Sequence, residues 1–450
     1  MFSRILIANR GEIALRIIRT CKRLNIETVV VYSQADKDAL YLKLVDRAIC
    51  IGPPQARESY LKINNIIAAA EIADVDAIHP GYGFLSENAH FAEVCRACKI
   101  AFVGPPTQAI ADLGDKIKAK QIAKAAGVPT VPGSDGAVPD VETALKLANE
   151  ISFPVLLKAA AGGGGRGMRI AHNDVSLRAN YMQARAEAEA AFGDGTLYME
   201  KYIEGARHVE VQVLADEHGN VVHLGERDCT IQRRNQKLIE ESPCCAPGFG
   251  KRERYDMQVA AVKLMKAAKY TNAGTVEFIY DVNSRRFYFM EVNTRLQVEH
   301  PVTEMVTDLD LVEEQLRVAS GERLRWRQKD IVFNGHAIEC RINAEDTAKG
   351  FAPTPGKIGI FAPPTGTGIR MDTHIYSGYT VPAHYDSLLG KLIVHGSDRL
   401  DAVRRMRQAM GQLVLEGIPT TVSALREVLG HVKFVGGAYD TTFVTNELGM

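Results

Sequence analysis

The first part of the chain alternates short apolar runs with a longer amphipathic stretch, and this pattern predicts a βαβ unit. Residues 4–8 are mostly apolar and of strand length, and residues 28–32 are rich in β-branched side chains. Between them, residues 12–24 repeat apolar side chains at helical spacing. A strand, a helix and a second strand in this order indicate a parallel sheet, because the helix crosses over between the two strands.

Two further short strands extend the predicted parallel sheet. Residues 75–79 and 101–103 are apolar and each precedes a loop that contains Gly and Pro. The turn after the first strand, residues 9–11, has a single glycine and so lacks the fingerprint of a dinucleotide site. We therefore predict a doubly wound N-terminal domain over residues 1–113.

The rest of the chain changes to a pattern typical of α+β structure with antiparallel strands. A helix is predicted at residues 116–126. The other predicted elements are strands at 154–158, 168–171, 196–203, 209–215 and 221–226, a helix at 175–192, a hairpin of strands at 275–281 and 287–293, alternation at 335–342 and a helix at 401–413. We expect a central domain over residues 114–330 and a mostly antiparallel C-terminal domain over 331–450.

The predicted hairpin carries an unusual number of polar side chains at the end of an apolar strand. If its turn is centred on Ser284, Glu277 lies directly across from Glu291, and Asn293 shares their face. Facing carboxylates repel each other unless a cation neutralises them, and hard oxygen ligands suit magnesium or manganese rather than zinc. Surface charges on a hairpin are the alternative, but the polar run continues through residues 295–300. We therefore predict a metal–phosphate site.

Residues 161–167, with the sequence AGGGGRG, are the candidate phosphate loop. Strand-like segments lie on both sides, which argues against both a Rossmann turn and a Walker loop. Backbone N–H groups of such a glycine-rich loop can close over phosphates. We expect a mobile lid over about residues 131–203, and we interpret Lys116 and Lys158 as phosphate-binding cations.

Two more segments have compositions that favour ligand binding. Residues 197–203 are apolar with a polar middle, and this pattern suits the edge of a strand that lines an adenine pocket. Residues 226–237 place four cations among Gln and Asn side chains without helical or strand periodicity. A solvated charged surface is one interpretation of that run, and anion recognition is the sharper one.

Composition restricts the classes of function. The chain has 450 residues with 54 basic and 54 acidic side chains, so its formal net charge is zero. This balance argues against nucleic-acid binding and against electrostatic attraction to membranes. We also expect no signal peptide, because Arg10, Glu12 and Arg16 interrupt the apolar character of the first segment. No apolar run in the sequence is long enough to span a membrane. Its eight scattered cysteines are typical of a reduced, cytoplasmic enzyme.

Taken in order along the chain, these motifs resemble the biotin carboxylase family, a branch of the ATP-grasp superfamily. The likeness covers essentially the whole chain, from NRGEIALRI near the start to RINAED at residues 341–346. Its most specific segments are RHVEVQV at 207–213, ERDCTIQRRNQK at 226–237 and MEVNTRLQVEHPVTE at 290–304. The resemblance implies an ATP-grasp fold for the central domain.

The resemblance also implies a role for each matching residue. ATP would be bound by Lys116, Lys158, Gly163, Gly164, Gly165, Arg166, Gly167, Met168, Glu200, Lys201, Tyr202, Ile203, His208, Gln232 and Asn235. Two Mg²⁺ or Mn²⁺ ions would be held by Glu277, Glu291 and Asn293, and bicarbonate by Lys237, Arg295, Gln297, Val298 and Glu299. Arg341 and Tyr82 would bind biotin, and the catalytic residues would be Lys237, Arg295, Glu299 and Arg341.

In the implied reaction, Glu299 removes the proton of bicarbonate, which attacks the γ-phosphate of ATP and gives carboxyphosphate and ADP. Carboxyphosphate splits into carbon dioxide and phosphate, and the phosphate deprotonates the ureido nitrogen of biotin. Arg341 stabilises the resulting enolate. The chain departs from the family at Asn235, where many members carry histidine.

The implied partners are a biotin carboxyl carrier protein, a carboxyltransferase subunit and a second copy of the chain in a homodimer. No Met-Lys-Met biotinylation motif occurs in the sequence, so biotin is expected on a separate carrier. Acetyl-CoA carboxylase of fatty acid biosynthesis is the favoured holoenzyme, with pyruvate, 2-oxo acid and other acyl-CoA carboxylases as alternatives. An ATP-grasp ligase acting on another carboxylate and an inactive nucleotide-binding regulatory subunit are the competing functions.

Overall fold

The computed structural model describes residues 1–160 and 168–450, and its first part is a parallel sheet in the order β3-β2-β1-β4-β5. Its elements are β1 (Arg4–Ile7), α1 (Gly11–Arg23), β2 (Glu27–Ser33), β3 (Arg47–Gly52), α2 (Ile63–Ala73), β4 (Ala77–His79), α3 (Ala89–Ala97) and β5 (Ala101–Phe102). Alternate side chains of β1 enter two different cores: Ile5 and Ile7 pack with α1, and Leu6 packs with α2. The predicted doubly wound fold is confirmed. Strand β3 was missed because it is a largely exposed edge strand.

A smaller antiparallel sheet in the order β7-β6-β8 follows. The elements of this region are α4 (Thr107–Gly114), α5 (Lys116–Ala125), α6 (Val141–Ile151), β6 (Val155–Ala159), β7 (Arg169–Ala171), α7 (Asp174–Phe192) and β8 (Leu197–Lys201). Helices α6 and α7 cover one face of the sheet, where Leu145, Leu157 and Leu177 share a core. The glycine loop at residues 161–167, with its five predicted ATP-binding residues Gly163, Gly164, Gly165, Arg166 and Gly167, lies outside the described residues.

An eight-stranded antiparallel sheet forms the centre of the molecule, in the order β13-β12-β9-β10-β11-β14-β21-β19. The central segment supplies β9 (Ala206–Ala215), β10 (Val221–Arg233), β11 (Gln236–Ser242), α8 (Lys251–Ala267), β12 (Asn272–Asp281), β13 (Arg286–Asn293), α9 (His300–Thr307) and α10 (Leu311–Ala319). The predicted pairing of Glu277 with Glu291 is observed in the register of β12 and β13. The hairpin turn therefore spans residues 282–285, as expected.

Residues 226–237 have no strand periodicity in the sequence, yet almost all of them lie in strands. Strand β10 runs to Arg233 and β11 begins at Gln236, so this segment is a β-hairpin. Its two turn residues, Arg234 and Asn235, have φ values of 47° and 64°, and positive φ at both central positions is typical of a type I′ turn. Asparagine tolerates this conformation, but Arg-Asn is not the Asn-Gly signal that identifies such turns in sequences.

The C-terminal segment continues the same sheet. Its elements are β14 (His336–Asn343), β15 (Glu345–Asp346), β16 (Ala352–Pro353), β17 (Gly356–Lys357), β18 (Phe361–Ala362), β19 (Ile369–Thr373), β20 (Thr380–Val381), β21 (Leu388–Gly396), α11 (Arg399–Gln412), β22 (Val414–Leu415), α12 (Val422–Gly430), α13 (Val432–Val435) and α14 (Phe443–Leu448). Strand β14 pairs with β11, so the sheet passes from the central to the C-terminal segment without a break. Ile231, Ile338 and Met406 share one core beneath this junction. Among the described helices, none is long and apolar enough to cross a membrane.

We expect Ile338→Ala to destabilise the protein by about 2–5 kcal/mol, because it leaves a cavity in the core that joins the two segments. Ile360→Ala is the matched control, since that side chain is 54% exposed. The midpoint of urea unfolding should fall for Ile338→Ala and stay close to the wild-type value for the control. Equal midpoints for the two variants would contradict a core shared across the junction.

Candidate active site

One cavity of about 1110 Å³ lies between the small sheet, the eight-stranded sheet and the N-terminal domain. It is lined by all the predicted site residues that the structure describes: Tyr82, Lys116, Lys158, Met168, Glu200, Lys201, Tyr202, Ile203, His208, Gln232, Asn235, Lys237, Glu277, Glu291, Asn293, Arg295, Gln297, Val298, Glu299 and Arg341. These residues come from segments separated by up to 259 positions in the chain. The fold therefore brings them to a single site.

The metal-binding candidates lie together on the hairpin of β12 and β13. Asn293 donates from Nδ2 to Oε1 of Glu277 at 2.8 Å, so the two side chains share a face as predicted. Oε2 of Glu277 lies 2.9 Å from Nε2 of His208. Burial alone would raise the pKa of Glu277, but Lys237 and His208 hold that pKa below its ordinary value. Glu277 is thus an anion with fixed orientation.

The donor chemistry of this hairpin fits magnesium. Glu277, Glu291 and Asn293 offer carboxylate and amide oxygens, which are hard ligands. The Glu291 carboxylate is 39% exposed towards the cavity, and its nearest cation, Nζ of Lys116, is 3.8 Å away. Burial and the Glu277 charge both raise the pKa of Glu291, so a divalent cation between the two carboxylates would relieve their repulsion.

Lys237 occupies the centre of a group of buried carboxylates. Its Nζ lies 2.7 Å from Oε2 of Glu210, 3.0 Å from Oε1 of Glu277 and 2.6 Å from Oε1 of Glu299. Glu210 and Glu299 also cluster with Cys229 at metal-ligand distances, but the Lys237 ammonium already fills the space between these two carboxylates. We therefore assign no metal there.

Arg295 is held in one orientation by four acceptors. Its Nε donates to Glu87 at 2.8 Å, and Nη2 donates to Oδ1 of Asn293 at 3.1 Å. Its Nη1 donates to Oε1 of Gln297 at 2.7 Å and to the backbone carbonyl of Leu296 at 3.3 Å. Glu87 belongs to the N-terminal domain and also accepts from the backbone N–H of Thr294 at 3.1 Å. The guanidinium therefore faces the cavity with its fork fixed.

Arg341 lies beside Glu299 on the neighbouring side of the cavity. Its Nη2 donates to Oε2 of Glu299 at 2.8 Å, and its Nε donates to Oε1 of Glu240 at 2.5 Å. Burial raises the pKa of Glu240 to about 7, against the opposing effect of Arg341. Burial would also raise the pKa of Glu299, but Lys237 and Arg341 hold that pKa well below its ordinary value. Glu299 is therefore ionised at neutral pH.

The opposite end of the cavity carries the predicted nucleotide-binding residues. Lys158 donates to Oε2 of Glu200 at 2.6 Å, which is the anionic partner that a lysine in an apolar strand requires. Lys120 donates to Oε1 of the same carboxylate at 2.9 Å. Lys201 instead donates to the backbone carbonyls of Phe153 and Ser152, so its ammonium stabilises the strand connection.

Sequence reasoning missed four residues that complete the site. They are Glu87, Glu210, Glu240 and Lys391. Glu210 and Lys391 stand in strands beside apolar residues, the same signal that identified Lys158, whereas Glu240 lies next to another acidic residue, Glu241. Glu87 lies in a loop of the N-terminal domain and carries no comparable signal.

Three family models together match nearly the whole chain. Residues 1–110 match the model of the biotin carboxylase N-terminal domain, residues 115–327 that of the ATP-binding domain of the carbamoyl-phosphate synthase L chain, and residues 339–446 that of the biotin carboxylase C-terminal domain. Biotin carboxylase 1 of Bacillus subtilis is 54% identical over 99% of this chain and 98% of its own length.

Two solved structures extend the match to three dimensions. The biotin carboxylase of Campylobacter jejuni, in a β,γ-ATP complex, is 53% identical with a TM-score of 0.95, covering 99% of this chain and 98% of that one. The biotin carboxylase domain dimer of 2-oxoglutarate carboxylase from Hydrogenobacter thermophilus, in complex with MgADP, ADP and bicarbonate, is 49% identical with a TM-score of 0.94, covering 100% and 98%. With this identity and coverage, the chain belongs to the biotin carboxylase family.

Proposed function

We propose that this chain carboxylates biotin with bicarbonate and ATP, forming a carbon–nitrogen bond and releasing ADP and phosphate. The observation that carries the proposal is the position of Lys237 between the two halves of the cavity. Its ammonium lies 3.0 Å from Glu277, on the predicted metal–phosphate side, and 2.6 Å from Glu299, on the predicted bicarbonate side. One site can therefore hold both reactants of the first step next to each other.

The nucleotide half would bind ATP at the edge of the small sheet. Glu200, Lys201, Tyr202 and Ile203 would contact the base, together with His208, Gln232 and Asn235. Lys116, Lys158 and the glycine loop would hold the phosphates. Mg²⁺, held by Glu277, Glu291 and Asn293, would neutralise charge on the transferred phosphoryl group.

The bicarbonate half would use Arg295, Gln297, the backbone of Val298 and Lys237 as a positively polarised cradle. The Nη donors of Arg295 are directed at Gln297 and Asn293, so bicarbonate would share this guanidinium with them. Bicarbonate bound here would also share the Lys237 ammonium, which now contacts Glu299 together with Glu210 and Glu277. That competition raises the proton affinity of Glu299 when the bicarbonate proton has to be removed.

The biotin half would be formed by Arg341 and Tyr82. Carboxyphosphate would split into carbon dioxide and phosphate, and the phosphate would remove the ureido proton of biotin. The Arg341 guanidinium would stabilise the negative oxygen that results until the ureido nitrogen attacks carbon dioxide and forms the carbon–nitrogen bond. Arg341 is suited to this role because Glu240 and Glu299 fix its orientation before substrate binds.

Biotin is proposed to arrive on a separate carrier protein, and a carboxyltransferase subunit would use the carboxylated product. A homodimer, a cytoplasmic location and the domain boundaries at residues 113 and 330 are further parts of the proposal. The family resemblance supports the homodimer, and the eight free cysteines support the cytoplasmic location. The order of helices and strands supports the domain boundaries. Acetyl-CoA is the acceptor that we favour for the complete carboxylase.

The function is tested by measuring ADP release from the purified protein with MgATP. We expect release to require bicarbonate and to rise when free biotin is added, with carboxybiotin as the product. Added carrier protein should raise the rate further. ADP release that is independent of bicarbonate and biotin, or ATP binding without hydrolysis under all these conditions, would contradict the proposal.

Replacing Glu299 by Gln should lower bicarbonate-dependent ADP release by about 100–1,000-fold, because the side chain keeps its size but no longer accepts the proton. MgATP affinity, measured by calorimetry, should stay within a few-fold of the wild-type value. Glu241→Gln is the matched control, since Glu241 is equally buried but accepts from Arg399 and His336 away from the cavity. Wild-type turnover in Glu299→Gln would remove this residue from the mechanism.

Arg341→Ala should lower biotin carboxylation by about 100–1,000-fold or more while ATP still binds, because the enolate oxygen loses its cation. Arg233→Ala serves as control: Arg233 belongs to the same sheet, but its guanidinium stacks on Phe351 at 4.3 Å. The measurement is carboxybiotin formed per unit time at saturating MgATP. Equal losses in both variants would indicate a structural effect instead.

A further inference from the structure

Lys391 is a fully buried lysine that the proposed chemistry does not use. It lies in β21, at 0% exposure, and is paired across the sheet with Arg341. Its Nζ donates to the backbone carbonyl of Val298 at 2.8 Å and lies 3.2 Å from Oε1 of Glu12. Burying an ammonium is costly unless it is paired and hydrogen-bonded, so these contacts have to compensate for lost hydration.

The contact with Val298 acts on the proposed bicarbonate segment. The carbonyl of Val298 and the N–H of Glu299 belong to one peptide plane, which is rigid. Holding that carbonyl therefore sets the direction in which the backbone enters Glu299. It also limits how the Val298 N–H can turn in the cavity.

The contact with Glu12 leads to the proposed biotin pocket. Tyr82, which lines the cavity, donates its hydroxyl to the same Oε1 atom of Glu12 that faces Lys391. Glu12 is 4% exposed and begins the first turn of α1 in the N-terminal domain. A continuous path of contacts thus runs from Tyr82 through Glu12 and Lys391 to Val298.

Lys391 has two partners of different kinds. Glu12 supplies the counter-charge at 3.2 Å, and the neutral carbonyl of Val298 accepts a hydrogen bond at 2.8 Å. Glu339 in the neighbouring strand β14 is fully buried, and neither of its carboxylate oxygens has a hydrogen-bond partner in the described part of the chain. The ammonium therefore connects the proposed bicarbonate segment to the N-terminal domain and donates no hydrogen bond to Glu339.

We propose that Lys391 is a positioning residue that couples the bicarbonate segment to the biotin pocket, through Val298 on one side and through Glu12 and Tyr82 on the other. The inference rests on the proposed function. Through these contacts, Lys391 would make the affinity for bicarbonate depend on the binding of biotin, and the affinity for biotin depend on the binding of bicarbonate.

The first test is the steady-state kinetics of Lys391→Met, a variant of similar length without charge. We expect the KM for bicarbonate and the KM for free biotin each to rise about tenfold or more, because a hydrogen bond to a charged group is lost. The KM for MgATP should change less than twofold. Arg399→Met is the control, since it removes a cation paired with buried Glu241 on the far side of the sheet and should leave all three KM values unchanged. Equal increases for all three substrates in Lys391→Met would overturn the proposal.

The second test is a double-mutant cycle with Tyr82→Phe, which removes the hydroxyl bound to Glu12. If the path is real, the loss in kcat/KM for biotin in the double variant should be smaller than the product of the two single losses. Independent, multiplicative losses would overturn the coupling. Glu12→Gln replaces Lys391→Met in the cycle if the latter does not fold, and it should raise the KM for bicarbonate as well as for biotin. An unchanged bicarbonate KM in Glu12→Gln would equally overturn it.

A failure of the proposed function can be told apart from a failure of the role of Lys391. A wild-type protein without bicarbonate-dependent ADP release contradicts the proposed function and this inference with it. A fully active wild type whose variants show uniform or independent effects contradicts only the role of Lys391.

Discussion

The compensation of buried charge at the centre of the eight-stranded sheet is the constraint on which the site depends. Three carboxylates, Glu210, Glu277 and Glu299, converge on the single ammonium of Lys237. Arg227 pairs with the other oxygen of Glu210, and Arg341 pairs with the other oxygen of Glu299. Glu240 is a further acid beside Arg341, so four carboxyl groups share three cations within one layer. Removal of any one of them would leave an uncompensated buried charge, which typically costs about 3–5 kcal/mol.

These ion pairs explain how a site with so many carboxylates can be rigid before substrate arrives. Each cation already has its hydrogen bonds, so little reorganisation is needed when an anionic substrate shares it. Preorganised charges of this kind stabilise developing negative charge far better than mobile ones do. The same arrangement makes the proton affinity of Glu299 depend on what else contacts Lys237 and Arg341, and this dependence is what the proposed role of Glu299 as a base would use.

The sequence predicted those parts of the fold whose local pattern is simple. Strand β1 and helix α1 are apolar at strand and helix periods, and the turn at Ser284 fixed the register of Glu277 against Glu291. The strand over 226–233 was missed because it is covered on both faces by ion pairs. Arg227 binds Glu210 on one face and Asp228 binds Arg207 on the other, so polar and apolar positions do not alternate. Periodicity reports burial by apolar contacts, and it fails where burial is achieved by charge pairing.

The positions of the site residues were predictable only where a motif held them together in the chain. Arg295, Gln297 and Glu299 follow the hairpin directly, so their proximity to Glu291 is local. Lys391 and Arg341 reach the site only because β14 and β21 extend the central sheet beyond β11. That extension adds a second, anion-binding part to the cavity, since the added strands carry cations on the face that looks towards Glu299. In the proposed function the C-terminal strands would contribute the chemistry beyond ATP binding. Its link to the proposed nucleotide side would be the Lys237 ammonium, which contacts both Glu277 and Glu299.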